Sequence, residues 1–432
     1  MDEVTRRELR PYVFLTHLKT DKFKTAALSV TLLTQLDRDT AAKNALLPRV
    51  LLRGTSKHTD MEQLARTMDE LYGAKIEPMI RKKGEIQCLG LYASFVNDSF
   101  LGEGEGILEQ VIGLVGEILL EPDMKRKQFR TDYVDSEREK LLDEINGRIN
   151  DKTTYAIGRL VERMCDGEPF AVFRLGTAEE AEEIDSESLT RHYRTLLETS
   201  PVEIFYSGTA SVEEVEQALG HALQNLPDIE PDFDLGTDVR MNSVEESPRY
   251  FTEEMDVTQG KLSIGFRLGA CMEEPDYAAL LLLHVLYGGS VNSKLFLNVR
   301  ERLSLCYYAS SVPEVHKGIL LVASGIEFSK YDEAKDEILA QLRAIQEGDI
   351  TEEELLWAKK GTVTDLQMAK DEQVRLEDFY LNQTILGEDE GIDELIAKVE
   401  AVTQETLVTI AKGIQLDAVY FLKGEQVREE GA

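Results

Sequence analysis

Cations are scarce in this sequence. Its 432 residues include 48 Lys and Arg against 81 Asp and Glu, a formal net charge of −33. A nucleic-acid partner needs its phosphates neutralised by Lys and Arg, so this balance argues against one. It suits a basic peptide, or simply a well-solvated surface. Cysteine is sparse too: Cys88, Cys165, Cys271 and Cys306 are scattered with no C-x-x-C, and they read as reduced, partly buried thiols. No apolar run approaches the length of a membrane span. Met1-Asp2-Glu3-Val4 has neither the basic nor the apolar block of a secretory leader. The expectation is a cytoplasmic protein without membrane contact. No serine sits in a G-x-S-x-G elbow and there is no P-loop. The one tryptophan, Trp357, falls in a helical pattern and reads as packing.

What is present is length and pattern. A chain this long, 42% hydrophobic, can bury the cores of two or more domains. Residues 1–22 are polar with one short apolar patch. A strand is expected over Lys24–Gln35, then a helix capped near Asp39-Thr40. Pro48 should kink or split that helix, since its ring clashes with the preceding turn and it has no N–H, and Gly54 should end it. A second helix follows from Asp60. Two strands, Lys75–Arg81 and Glu85–Phe95, flank a Lys-Lys-Gly turn. Helices are expected over Ile107–Leu120 and Lys125–Ile145, then an acidic and a further helix over Ala178–Ile184 and Leu189–Tyr193, then a strand at Val202–Ser207. Residues 227–247 are acidic, contain Pro and Gly, and lack regular periodicity, so they read as a linker.

The second half repeats the plan. A strand at Lys261–Leu268 precedes an apolar helix, Tyr277–Tyr287, broken by Gly288-Gly289-Ser290, and helix resumes over Ser293–Arg302. Strands at Tyr307–Ser311 and Gly318–Ile326 lead to helices at Tyr331–Gln346, Glu352–Ala369 and Ile392–Gly413, and a closing strand at Ala418–Leu422. The order of elements, and the loose match of Gly73–Ser94 to Tyr307–Ser324, suggest an internal duplication. The expected fold class is α+β: two related domains of about 220 residues, 1–226 and 248–432, each an antiparallel-rich sheet packed on helices.

One stretch carries a family resemblance. Asn44-Ala45-Leu46-Leu47-Pro48-Arg49-Val50-Leu51-Leu52-Arg53-Gly54-Thr55, followed by a helix ending at Gly73-Ala74, resembles the zinc-site region of the pitrilysin/insulinase peptidases, the inverzincins. Their first helix carries H-x-x-E-H shortly before Gly-Thr. The corresponding positions here are Ala45, Pro48 and Arg49. Two imidazoles four residues apart share a helical face and grip one ion. Ala45 offers no lone pair, Arg49 puts a permanent cation where Zn²⁺ would sit, and Pro48 cannot act as a general base. The family's third zinc ligand is a glutamate on a later helix. By resemblance that is Glu144, with Glu137 the runner-up, and either also reads as a solvated carboxylate on a charged helix. The site reads as dead, with no cofactor in this chain.

The second half matches more densely. Gly288-Gly289-Ser290, Ser293-Lys294-Leu295-Phe296, Val299-Arg300-Glu301 and Leu305-Cys306-Tyr307 resemble the same peptidases' motif, in which an Arg and a Tyr reach toward the scissile bond. By resemblance these are Arg300 and Tyr307. Guanidinium and phenol are donors suited to the oxyanion of peptide hydrolysis. The plainer alternative pairs Arg300 with a nearby Glu and makes Tyr307 the start of a strand. His58 and Glu62 are four apart, but Thr59-Asp60 looks like a helix cap, which leaves His58 outside the helix. His284 reads as a satisfied core residue.

The resemblance implies a non-catalytic subunit of a two-chain zinc peptidase, similar to processing-peptidase subunits. A homologous partner would carry H-x-x-E-H and the zinc. This chain would supply Arg300 and Tyr307 in trans, and the substrate would be a peptide. The alternative is a catalytically silent scaffold, a homodimer that binds a peptide or protein client.

Overall fold

The computed structural model describes residues 3–102, 104–233, 236–237, 246–268 and 276–424. The chain opens with strands β1 (Glu3–Arg10), β2 (Val13–Lys19) and β3 (Thr25–Gln35). Helices α1 (Arg38–Leu51) and α2 (Met61–Glu70) lead to the hairpin β4 (Lys75–Lys83) and β5 (Ile86–Val96). Next come α3 (Ile107–Leu120), a short hairpin of β6 (Met124–Lys125) and β7 (Gln128–Phe129), α4 (Thr131–Gly147) and α5 (Lys152–Met164). The half closes with α6 (Ala178–Glu182), α7 (Ser186–Thr199), β8 (Val202–Gly208) and α8 (Val212–Ala222).

The second half begins with β9 (Arg249–Met255), β10 (Gly260–Arg267) and α9 (Tyr277–His284). Two wide π-helical runs, Val285–Gly289 and Leu295–Arg302, precede β11 (Cys306–Glu314) and β12 (Ile319–Ile326). Helices α10 (Tyr331–Glu347), α11 (Glu352–Ala369), α12 (Gln373–Leu386), α13 (Ile392–Ala401) and α14 (Gln404–Gly413) follow, and β13 (Gln415–Gly424) ends the described chain.

The chain forms two compact units. The first comprises residues 1–146, 172–236 and 372–388, and the second 147–171, 237–371 and 389–432. Each therefore takes one helix from a distant stretch of sequence: α12 belongs to the first unit and α5 to the second. The first sheet runs β1-β2-β8-β3-β5-β4, antiparallel except where β2 meets β8. The second runs β11-β12-β10-β13-β9, antiparallel except for β13 with β9. The fold is mixed α and β, with each sheet packed on helices.

In the first unit one large core joins Leu28, Val30 and Leu32 of β3 to Leu46 and Val50 of α1, Val111 and Val115 of α3, and Ile204 of β8. The second unit's α5 lays Ala156, Leu160 and Met164 against Ile319, Leu321, Ala418 and Tyr420 of its sheet. The same sheet buries a charge network. Arg267 forks between Glu168 (2.7 Å) and Asp417 (2.9 Å), Lys317 meets Glu168 at 2.8 Å, and Arg249 meets Asp417 at 2.7 Å.

Several sequence expectations change. Residues 1–22 hold two strands, β1 being a charged edge strand. Pro48 does not split α1, because it lies in the last turn with only three helical residues beyond it, and its ring is buried among core side chains. The start of the expected Lys125–Ile145 helix is the β6–β7 hairpin, turned by Arg126 and Lys127 at positive φ, so α4 begins at Thr131. The expected Ile392–Gly413 helix is two, with Thr403 capping the second through Thr406 N–H. Trp357 is half exposed beside Glu353 and Lys360 rather than packed inside. In the linker stretch, residues 234–235 and 238–245 lie outside the described residues, as does Cys271.

Candidate functional site

The first half-site is built by α1 and α4. Ala45 and Pro48 face inward and are buried with the surrounding Leu46, Leu47 and Val50. Arg49, one residue round the helix, points out and donates from Nη2 to Glu144 Oε2 at 2.6 Å. Arg174 approaches the other oxygen of Glu144 at 3.8 Å. One turn further on, just past the end of α1, Arg53 donates to Glu137 Oε1 at 2.9 Å, and Lys140 shares that oxygen at 2.7 Å. The pairs 49–144 and 53–137 run in opposite senses, so the two helices meet antiparallel and are tied by two ion pairs.

Thus the structure brings Arg49 and Glu144 together, and Arg53 takes up Glu137. Each carboxylate a metal would need is already neutralised by a guanidinium. The residues present do not fit a zinc ion: a methyl, a pyrrolidine ring and a cation stand where two imidazoles and a base are required. Among the described residues no group of three His, Cys, Asp or Glu is arranged to hold a metal. Sequence reading missed Arg53 and Arg174. Arg53 was visible as the residue one turn after Arg49, whereas nothing in the spacing pointed to Arg174.

Gly54-Thr55 has its own reason. A Cβ on Gly54 would lie 2.9 Å from the Thr59 carbonyl carbon, so only glycine lets the chain double back there. Thr55 and His58 then converge on Glu117: His58 Nδ1 is 2.8 Å from Glu117 Oε1, and Thr55 Oγ1 donates to the same oxygen. His58 lies before α2, which Asp60 caps through Gln63 N–H, so it makes no pair with Glu62.

The second half-site is different in kind. The Gly288-Gly289 pair is required by packing. A Cβ on Gly288 would meet Ser311 N at 2.7 Å, and one on Gly289 would meet the His284 ring at 2.6 Å. His284 Nδ1 sits 2.9 Å from Ser311 Oγ, and burial lowers its pKa to about 4, so it is a neutral, satisfied residue. The helix that follows is wound wide: Leu303 N–H reaches back five residues to Asn298 O. Such π-helical turns are rare and concentrate at functional sites. Arg300 lies on this stretch, 41% exposed, over the Phe296 ring at 4.6 Å and only loosely paired with Glu301 at 3.6 Å. Tyr307 is the unpaired residue of a β-bulge: Cys306 and Tyr308 pair with consecutive residues Ile326 and Gly325 of β12. A bulge turns its extra side chain away from the ladder, and Tyr307 is 60% exposed. Among the described residues β11 is an edge strand of its sheet.

A doubled α+β fold with its metal positions filled in this way defines a class. Residues 183–362 match the family model described as the peptidase M16 inactive domain, and the chain belongs to that peptidase family, the pitrilysin/insulinase group, as a non-catalytic homologue. Across 95% of its length, and 95% of the relative's, it is 33% identical to a Bacillus subtilis (strain 168) protein named probable inactive metalloprotease YmfF. Among solved structures it resembles a conserved protein from Enterococcus faecalis V583, with TM-score 0.88, 27% identity, and 98% of this chain and 99% of that one covered. It shares its fold with a protease from Helicobacter pylori at TM-score 0.79 and 14% identity, covering 98% and 100% of the two chains. No helix among the described residues is long and apolar enough to cross a membrane.

Proposed function

We propose that this chain is the non-catalytic subunit of a two-chain cytoplasmic zinc peptidase, lending Arg300 and Tyr307 to a site whose metal is held by a homologous H-x-x-E-H-bearing partner. The observation that carries this reading is the contrast between the half-sites. Arg49 and Glu144 satisfy each other, while Arg300 and Tyr307 stay solvent-accessible on a π-helical turn and a bulged edge strand. Backbone irregularities of both kinds are costly and gather where a side chain must be aimed. A guanidinium and a phenol O–H so presented can donate to the oxyanion that develops on a scissile peptide carbonyl. The competing scaffold reading draws on Gly288 and Gly289, whose presence packing alone explains.

The test is peptide cleavage by this chain mixed with its H-x-x-E-H-bearing homologue. Arg300→Ala and Tyr307→Phe in this chain should each lower kcat on the order of 10²–10³, the usual cost of losing one oxyanion donor. Equal cleavage with both substitutions would establish the scaffold reading instead.

A further inference from the structure

The outer face of the first unit's sheet is roofed only in part. Helix α12 packs on β8 and β3 and stops at Leu386, where Gly387 adopts a left-handed φ of 74°. Around its last turn, at Thr384 and Ile385, lies a cleft of about 550 Å³. That volume falls within the ~300–1,000 Å³ range of small-molecule sites. Three aromatic rings line it, those of Tyr12, Phe14 and Phe233, together with aliphatic Leu33 and Ile385.

The cleft's charged groups are of one sign. Glu203 and Asp232 both line it, and no Lys or Arg does among the described residues. Glu203 is buried and held in a two-pronged bond by Arg6 at 2.7 and 2.8 Å, and the same guanidinium lies over the Phe14 ring at 4.8 Å. The protein thus already shows a cation between a carboxylate and an aromatic face at this place. Asp232 is exposed and, among the described residues, pairs with no cation. The last turn of α12 adds the negative end of a helix dipole. The net charge of −33 further raises the local concentration of cations.

We propose that this cleft binds a small amphipathic cation, an alkyl- or aryl-ammonium. Its apolar body would fill the space between Phe14, Leu33 and Ile385, and its ammonium would pair with Asp232. Aromatic faces favour such a cation, and an anion of the same shape would meet two carboxylates with no counter-charge left to offer. The site shares no residue with either half-site and does not depend on the proposed peptidase role.

The probe is 2-phenylethylammonium, titrated into the full-length chain by calorimetry or ligand-observed NMR, beside 2-phenylethanol and 3-phenylpropionate as neutral and anionic counterparts. Saturable binding of the ammonium is expected, at least about tenfold tighter than the alcohol, with no binding of the carboxylate. Asp232→Asn, an exposed position that leaves the fold intact, should weaken the ammonium about tenfold and leave the alcohol unchanged. Ile385→Trp should fill the cleft and abolish binding, and circular dichroism would verify its folding. If that variant fails to fold, the Asp232→Asn comparison decides alone. No saturable binding, equal affinity for ammonium and alcohol, or indifference to Asp232→Asn would overturn the proposal.

Discussion

Arg49 matters for where it stands more than for what it contributes. Its pair with Glu144 is partly exposed, and such pairs contribute about 0–1 kcal/mol. Chemically its effect is larger, because a carboxylate bonded to a guanidinium is not available as a metal ligand. The buried network of the second unit is the opposite case. Glu168 would have its pKa raised by burial, but hydrogen bonds from Arg267 and Lys317 outweigh this and hold it below the usual glutamate value. A carboxyl depressed in the folded state contributes stability above its unfolded pKa, and that stability is lost as pH falls through the folded value. Breaking a buried pair by removing one partner typically costs about 3–5 kcal/mol. Glu168→Gln should therefore lower the urea midpoint strongly at neutral pH. The gap between mutant and parent should narrow as pH falls below about 4, the unfolded range of a glutamate. A gap that stays constant well below that pH would show that Glu168 carries no such linkage.

At the scale of elements, the wide turns around Gly288 and Arg300 set the second half-site. A Cβ on Gly288 meets a backbone nitrogen that cannot retreat, whereas one on Gly289 meets a ring that can rotate at the loss of its Ser311 bond. Gly288→Ala should cost about 1–3 kcal/mol, as overpacking does, and Gly289→Ala less. Urea unfolding of the two variants checks the order, and an unchanged midpoint for Gly288→Ala would contradict it. Elements of this fold were legible where burial follows a simple period. Ile107–Leu120 and Glu352–Ala369 fall where the apolar spacing puts them, and the β4–β5 hairpin turns at Gly84 as its Lys-Lys-Gly signal suggests. Illegible elements were those whose buried face is polar or whose edge is charged. Helix α12 buries Glu377 and Gln383 beside Leu376, Phe379 and Leu381, because Glu377 meets Arg81 and Ser29 on the sheet. Strands β1 and β9 are sheet edges, and edge strands carry charge that masks their alternation. For the candidate site, the family resemblance pointed to Arg49, Glu144, Arg300 and Tyr307, and the structure joins Arg49 to Glu144. The bulge and the wide helix that expose the latter pair left no trace in composition, since both are set by tertiary pairing.

At the scale of the whole molecule, the two units repeat one plan with different outcomes. In the first, Arg49 pairs with Glu144 where the family resemblance would place a metal, and a second ion pair fastens the same two helices. In the second, irregular backbone leaves Arg300 and Tyr307 solvent-accessible. Were the proposed peptide client basic, a net charge of −33 would draw it in at a rate falling with salt. The central claim is that this chain holds no zinc because its own residues occupy the place. Zinc content per chain tests it most directly, measured by elemental mass spectrometry after dialysis of the purified protein against zinc and then metal-free buffer. The account predicts far less than one zinc per chain, unchanged by Glu144→Gln. One tightly held zinc per chain that disappears in Glu144→Gln would contradict it.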